Sequence, residues 1–181
     1  MMSIKKNLPL RRPLWIKDIK MEEKLNITHE NLISNEDFIE FLDKRMLGNI
    51  GEGPWKSLTI CHGEECFEHY GVTTYQQIRR KFESVKNLAG VYAYFIKNQK
   101  TECIYIGVSK NLSERIYQHL LESCNAWGHP RYKEAFKNYR GEVDFYYLPL
   151  GDQSKDCDYL RSIVEKILQV KYKPILHSIK L

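Results

Sequence analysis

Tyr92 and Tyr105 each stand beside a glycine in a short β-branched and aromatic run, Gly90-Val91-Tyr92 and Tyr105-Ile106-Gly107. Val91 to Ile96 and Cys103 to Val108 read as the two strands of a hairpin, joined by the polar loop Lys97 to Glu102. On paired strands, both hydroxyls can point to one side of the sheet. A phenol, with a reference pKa of about 10, is a poor base at neutral pH. A neighbouring base or cation that favours the phenolate makes it a useful one. The segment after the second strand supplies such neighbours. Ser109 to Leu120 reads as a helix carrying Arg115 and His119, four residues apart and therefore on one face. Arginine stays protonated, and its planar fork grips two oxygens of a phosphate. Lys110, at the turn into this helix, is a further candidate phosphate contact.

These groups must be held by the elements around them. From residue 88 onward the chain reads strand, strand, helix, helix, strand, helix. The second helix is predicted at Pro130 to Tyr139. Val143, Phe145 and Tyr147 alternate as one face of the next strand, which ends at the turn Pro149-Leu150-Gly151. Ser154 caps the last helix, where Leu160, Ile163, Val164, Ile167 and Leu168 form the expected core stripe. Before residue 88, Leu8 to Trp15 carries Pro9 and Pro13 around Arg11 and Arg12, which predicts an extended arm. Ser34 starts an expected helix through Met46 that stops at Gly48, and Gly48 to Pro54 is turn-rich. Trp55 to Cys61 reads as a short strand, and Thr73 or Thr74 caps a helix from Tyr75 to Val85. The boundary between the two regions is placed near Asn87.

In their order along the chain, these stretches resemble the GIY-YIG family of DNA endonucleases. GVY stands where the family has GIY, a one-methylene change between β-branched residues, and YIG is unaltered. The family pattern continues with an Arg about a turn and a half further on, matched by Arg115, and a His or Tyr four residues beyond, matched by His119. It closes with a Glu on a later helix, matched by Glu165, and a tail matched by Lys171-Tyr172-Lys173-Pro174-Ile175-Leu176-His177, in which the usual Asn is His177. The resemblance covers residues 88–178. It implies an α/β (α+β) fold, a small antiparallel three-stranded sheet flanked by helices, and the residues before it read as a mainly helical N-terminal region. It implies a metal-dependent hydrolysis of DNA phosphodiesters, with residues 88–181 as the catalytic domain and 1–87 helping to choose or hold the DNA.

Hydrolysing a phosphodiester needs a nucleophilic water, charge stabilisation at the phosphoryl oxygens and help for the leaving 3′ oxygen. By resemblance, Tyr92 activates the water, Arg115 clamps the scissile phosphate, and Tyr105 and His119 orient or deprotonate Tyr92 and the water. Glu165 is the acidic residue the resemblance singles out to hold a Mg²⁺ or Mn²⁺ ion. A single carboxylate with waters and substrate oxygens is a ligand set Mg²⁺ accepts. At about 100° per residue, Glu165 lies about 130° from the centre of the expected stripe, clear of the core. Lys110 and His177, with Arg11 and Arg12 of the arm, are the expected substrate contacts.

Charge distribution agrees with a polyanionic partner. The 181-residue chain has a net charge of +5, made of +5 over residues 1–20, −4 over 21–89 and +4 over 90–181. Release of counterions would favour DNA at the two basic regions. No apolar run reaches the roughly 18–20 residues that span a bilayer. Five cysteines at irregular spacing argue against a disulfide scaffold and for a cytoplasmic setting. Cys61, His62, Cys66 and His69 are too closely spaced for an ordinary zinc finger, and Cys66 and His69 read instead as one face of a short helix. Trp15, Trp55 and Trp127 read as local core anchors, with base stacking as the alternative. Three functions compete: a sequence-specific, restriction-like endonuclease; a structure-selective or repair nuclease; and a DNA-binding module that does not cut. Cutting both strands from one site per chain would call for a homodimer or successive nicks.

Overall fold

The computed structural model describes residues 48–124, 126–128, 130–152 and 154–176. The basic arm with Arg11 and Arg12, the helix expected after Ser34, and His177 lie outside them. The element order is β1 (Lys56–His62), α1 (Cys66–Tyr70), α2 (Tyr75–Arg80), a single 3-10 turn (Glu83–Val85), β2 (Gly90–Ile96), β3 (Cys103–Ser109), α3 (Leu112–Ser123), α4 (Pro130–Phe136), β4 (Gly141–Pro149) and α5 (Lys155–Tyr172). Thr74 caps α2 in a reciprocal capping box with Gln77, and Ser154 caps α5, accepting a hydrogen bond from the Cys157 backbone N–H.

The sheet is antiparallel throughout, in the order β1-β4-β2-β3. It has four strands where three were expected. β4 pairs with β2 on one side, and its other edge would otherwise present a row of bare backbone N–H and C=O groups. β1 covers that edge in register from Lys56 opposite Tyr147 to His62 opposite Gly141. Residues 56–85 therefore share a sheet and a core with residues 90–176. Ile60, Ile78, Phe82 and Val85 are buried in the same cluster as Tyr92, Ile116, Leu120 and Phe136. Full burial of one such apolar side chain is worth about 1.5–3 kcal/mol.

The pleat sorts the aromatic residues by face. Tyr92 is opposite Gly107 on β3 and Tyr147 on β4, while Tyr94 is opposite Tyr105 and Phe145. These side chains meet α3 and α4 on one face, where the Tyr94 and Phe145 rings lie 5.0 Å apart and Tyr94 and Phe136 5.6 Å. The other face meets α5, with the Phe95 ring 5.8 Å from that of Tyr172. Gly90 is required by close approach, because a Cβ there would fall 2.3 Å from the Leu148 carbonyl oxygen.

After α5 the chain returns along the β3 edge. The Ile175 and Leu176 backbone N–H groups donate to the Cys103 and Ile104 carbonyls at 3.0 and 2.8 Å. The first half of that edge is thus paired, and Ile106 to Ser109 remain beside α5. Among the described residues all five cysteines are free, and no helix is long and apolar enough to cross a membrane.

Candidate active site

The site forms where β2 and β3 meet α3. Tyr92 is fully buried, and its ring lies over Gly107. A Cβ at Gly107 would fall 2.6 Å from the Tyr92 hydroxyl and 2.7 Å from Tyr105 Cε1, so the glycine leaves the space the two phenols occupy. The Tyr105 ring sits on the same face, 6.0 Å from that of Tyr92. Burial pushes the Tyr92 phenol well above its ordinary pKa, against the opposing pull of Arg115 and the Tyr105 hydroxyl. Burial, reinforced by its phenolic neighbours, raises Tyr105 likewise. Both are therefore neutral phenols, able to donate a proton.

α3 starts at Asn111, whose side chain accepts from the Glu114 backbone N–H. The helix carries Arg115 and His119 toward the tyrosines. His119 Nε2 lies 2.9 Å from the Tyr92 hydroxyl, and its Nδ1 lies 2.7 Å from Glu122 Oε2. The imidazole is fully buried, and burial lowers its pKa, partly offset by Glu122. Arg115 is half-buried and donates to Gln118 Oε1 at 3.2 Å. Its charge acts on Tyr92, Tyr105, Tyr132 and Glu122, and the phenols raise its own pKa. Beyond it lies a cleft of about 600 Å³ lined by Arg115, Gln118, Glu122, Trp127, Tyr132 and Lys133. Trp127 is 60 % exposed at its rim and anchors no core, contrary to the expectation from sequence.

Glu165 approaches from α5, around the β3 edge. Its Oε1 accepts from Gln169 Nε2 at 3.2 Å, and Gln169 Nε2 also donates to the Ile106 carbonyl at 3.4 Å. The helix is turned from its expected setting, because Arg161 is buried with Cys157, Val164 and Leu168. Arg161 donates to the Leu150 carbonyl at 2.8 Å and pairs with Asp158 at 2.6 Å. At about 100° per residue the real stripe centre falls about 70° from Glu165. The carboxyl is therefore half-buried at the shoulder of the stripe, not clear of the core. Burial raises its pKa, with Lys166 and Arg115 opposing. Lys110 is near the start of α3 but pairs with Asp158 at 2.6 Å.

The GIY-YIG catalytic domain model matches residues 90–175, which span every one of these groups. The chain carries a GIY-YIG catalytic domain. Comparison with curated proteins and with solved structures gave no match. The GIY-YIG domain is a nuclease domain, and its fold here is the antiparallel sheet with flanking helices just described.

Sequence reasoning missed Glu122, which sits three residues past His119 on a helix and reads there as an ordinary surface carboxylate. Its signal is that spacing, which puts it over the imidazole. Gln118, Tyr132 and Gln169 were missed for the same reason, since polar residues at helical spacing carry no signature. The Cys61-to-His69 cluster does not converge. His62 is buried against Tyr94 and Phe136, Cys66 Sγ lies 3.9 Å from Cys124 Sγ, and His69 Nδ1 lies 3.6 Å from Glu142. Among the described residues, no three His, Cys, Asp or Glu side chains are placed to share a metal ion. Glu165, the carboxylate singled out by the sequence pattern, is one that could hold a divalent ion, with water and phosphate oxygens completing its shell. The half-buried carboxyl, whose charged form burial penalises, fits a site where a cation restores ionisation.

Proposed function

We propose that this protein is a divalent-metal-dependent DNA endonuclease in which Tyr92 delivers the hydrolytic water. The observation that carries the reading is the 2.9 Å contact from the Tyr92 hydroxyl to His119 Nε2. A buried phenol cannot ionise alone at neutral pH. Handing its proton to an adjacent neutral imidazole lets its oxygen take a proton from water in the same step. The resulting hydroxide attacks phosphorus, the bond to the 3′ oxygen breaks, and the leaving oxygen is protonated from solvent. Arg115 swings from Gln118 to the non-bridging phosphate oxygens, where charge builds in the transition state. Tyr105 packs against Tyr92 and His119 and fixes the phenol's approach. When bound at Glu165, Mg²⁺ or Mn²⁺ supplies charge stabilisation for the leaving oxygen. Lys110, His177, Arg11 and Arg12 supply backbone contacts, and residues 1–87 help select the DNA. Sequence-specific, restriction-like cutting is the preferred form, with two copies or two successive nicks severing both strands.

The test is plasmid incubation with Mg²⁺ beside Glu165→Ala and Arg115→Ala, with and without EDTA. Discrete fragments lost in both variants and on chelation are expected. Cutting confined to branched or flapped DNA would replace the sequence-specific form with the repair form. Binding without cutting in any divalent ion would defeat the enzyme reading.

A further inference from the structure

Glu122 is a buried charge beside the site that the hydrolytic scheme leaves without a role. It is 4 % exposed, at a depth where a carboxylate is costly unless well hydrogen-bonded. Its Oε2 meets His119 Nδ1 at 2.7 Å, a short separation for a charge-assisted bond. On its other side the backbone at Gly128 passes close, because a Cβ there would fall 2.2 Å from Glu122 Cγ and 2.7 Å from Oε1. Gly128 has φ +116°, a conformation that side chains rarely adopt. The carboxylate is thus clamped between an imidazole and a glycine.

We propose that Glu122 is a positioning residue of this site, holding His119 in the Nδ1–H tautomer so that Nε2 faces Tyr92 as the base. A carboxylate has only acceptor sites, so the hydrogen on this bond belongs to Nδ1. A neutral imidazole protonated at Nδ1 has a bare Nε2, the atom that meets the Tyr92 hydroxyl. When the Tyr92 O–H bond breaks and Nε2–H forms, Nδ1 keeps its proton, and the imidazolium stands between Tyr92 and a fixed negative charge. The titratable and charged groups around His119 are Tyr92, Tyr94 and Tyr105 on the sheet, His62 on β1, Tyr132 on α4, and Arg115 and Glu122 on its own helix. Of these, Glu122 is the one whose charge favours the imidazolium.

The proposal rests on the hydrolytic reading, and its first test is independent of it. Side-chain ¹⁵N NMR of the full chain without DNA should show His119 as the Nδ1–H tautomer in wild type and in Glu122→Gln, whose amide oxygen still accepts. In Glu122→Ala the tautomer should shift toward Nε2–H. An Nε2–H tautomer in wild type, or no change in Glu122→Ala, overturns the proposal. The second readout is kcat and KM for DNA cleavage against pH. Glu122→Gln should lower kcat by about 10²-fold with KM within twofold and move the acidic limb to lower pH. An unchanged kcat and profile in Glu122→Gln also overturns it. A wild type that cuts nothing defeats the nuclease reading, and the tautomer measurement still decides the role of Glu122.

Discussion

Two histidines are buried on the same face of the sheet, and their surroundings make them different chemical objects. His119 has a partner at each ring nitrogen, the Tyr92 hydroxyl and the Glu122 carboxylate. His62, whose ring lies 5.2 Å from Tyr94 and 5.4 Å from Phe136, has no well-aligned hydrogen bond at either nitrogen among the described residues, the Tyr139 backbone being its polar neighbour. Burial and the nearby His119 lower the His62 pKa to about 3, opposed only by the Tyr139 backbone. Burial lowers His119 too, but Glu122 pulls the other way. In the proposed mechanism the imidazole that accepts the proton is the one with a carboxylate behind it. Depth alone makes a histidine inert.

The sharpest way to break this comparison is to exchange the fates of the two rings. His119→Ala should lower kcat for DNA cleavage by about 10²–10⁴-fold, the usual worth of a general base. His62→Leu, assayed in parallel with Mg²⁺, should cut at the wild-type rate. Equal losses in both variants would show that the buried cluster acts as one unit.

A second effect reaches the stability of the fold. His62 is unprotonated in the native state down to a pH of about 3, whereas in the unfolded chain it takes a proton below its ordinary value of 6.5. Below 6.5 the unfolded state therefore binds more protons, and stability falls as the pH drops from 6.5 toward 3. The slope from this one group approaches about 1.4 kcal/mol per pH unit. Urea midpoints at pH 7 and pH 4.5 should show the loss, and His62→Leu should flatten it. A slope unchanged in that variant would assign the acid sensitivity to other groups.

Gly107→Ala separates the two regions by geometry. Its Cβ would crowd Tyr92 and Tyr105, which supply its nearest atoms, on the His119 side. A destabilisation of about 1–3 kcal/mol is expected, the usual cost of overpacking. Cleavage should fall further than stability alone explains. A variant that melts normally and cuts normally would mean that the phenols have room to move.

Much of this contrast could be read before the fold was known. The hairpin, the helix with Arg115 and His119 on one face, and the Ser154 cap depend on local periodicity and capping chemistry, which neighbouring residues carry. What was missed depends on distant partners. β1 joins the sheet because β4 has an open edge, and Lys56 finds Tyr147 only in three dimensions. The setting of Glu165 was misread because a buried arginine, Arg161, substitutes for an apolar residue in the stripe. Glu122 was invisible because its meaning comes from an imidazole one helical turn away. His62 drew notice as part of a compact Cys/His cluster, yet Cys61 and His62 are successive strand residues and point to opposite faces.

The smallest expected effect is also the most discriminating. At pH 7.5, where both states of His62 are neutral, His62→Leu removes two nitrogens that lack a well-aligned hydrogen bond and gives up ring contacts with Tyr94 and Phe136. Burying a polar atom without a hydrogen bond costs about 1–3 kcal/mol, so its removal offsets most of the lost packing. The net change in unfolding free energy should be within about 1 kcal/mol of wild type. A loss above about 3 kcal/mol would show that the Tyr139 backbone holds the imidazole by a full hydrogen bond. His62 would then join His119 as a held ring, and the contrast between the two would fail at its structural root.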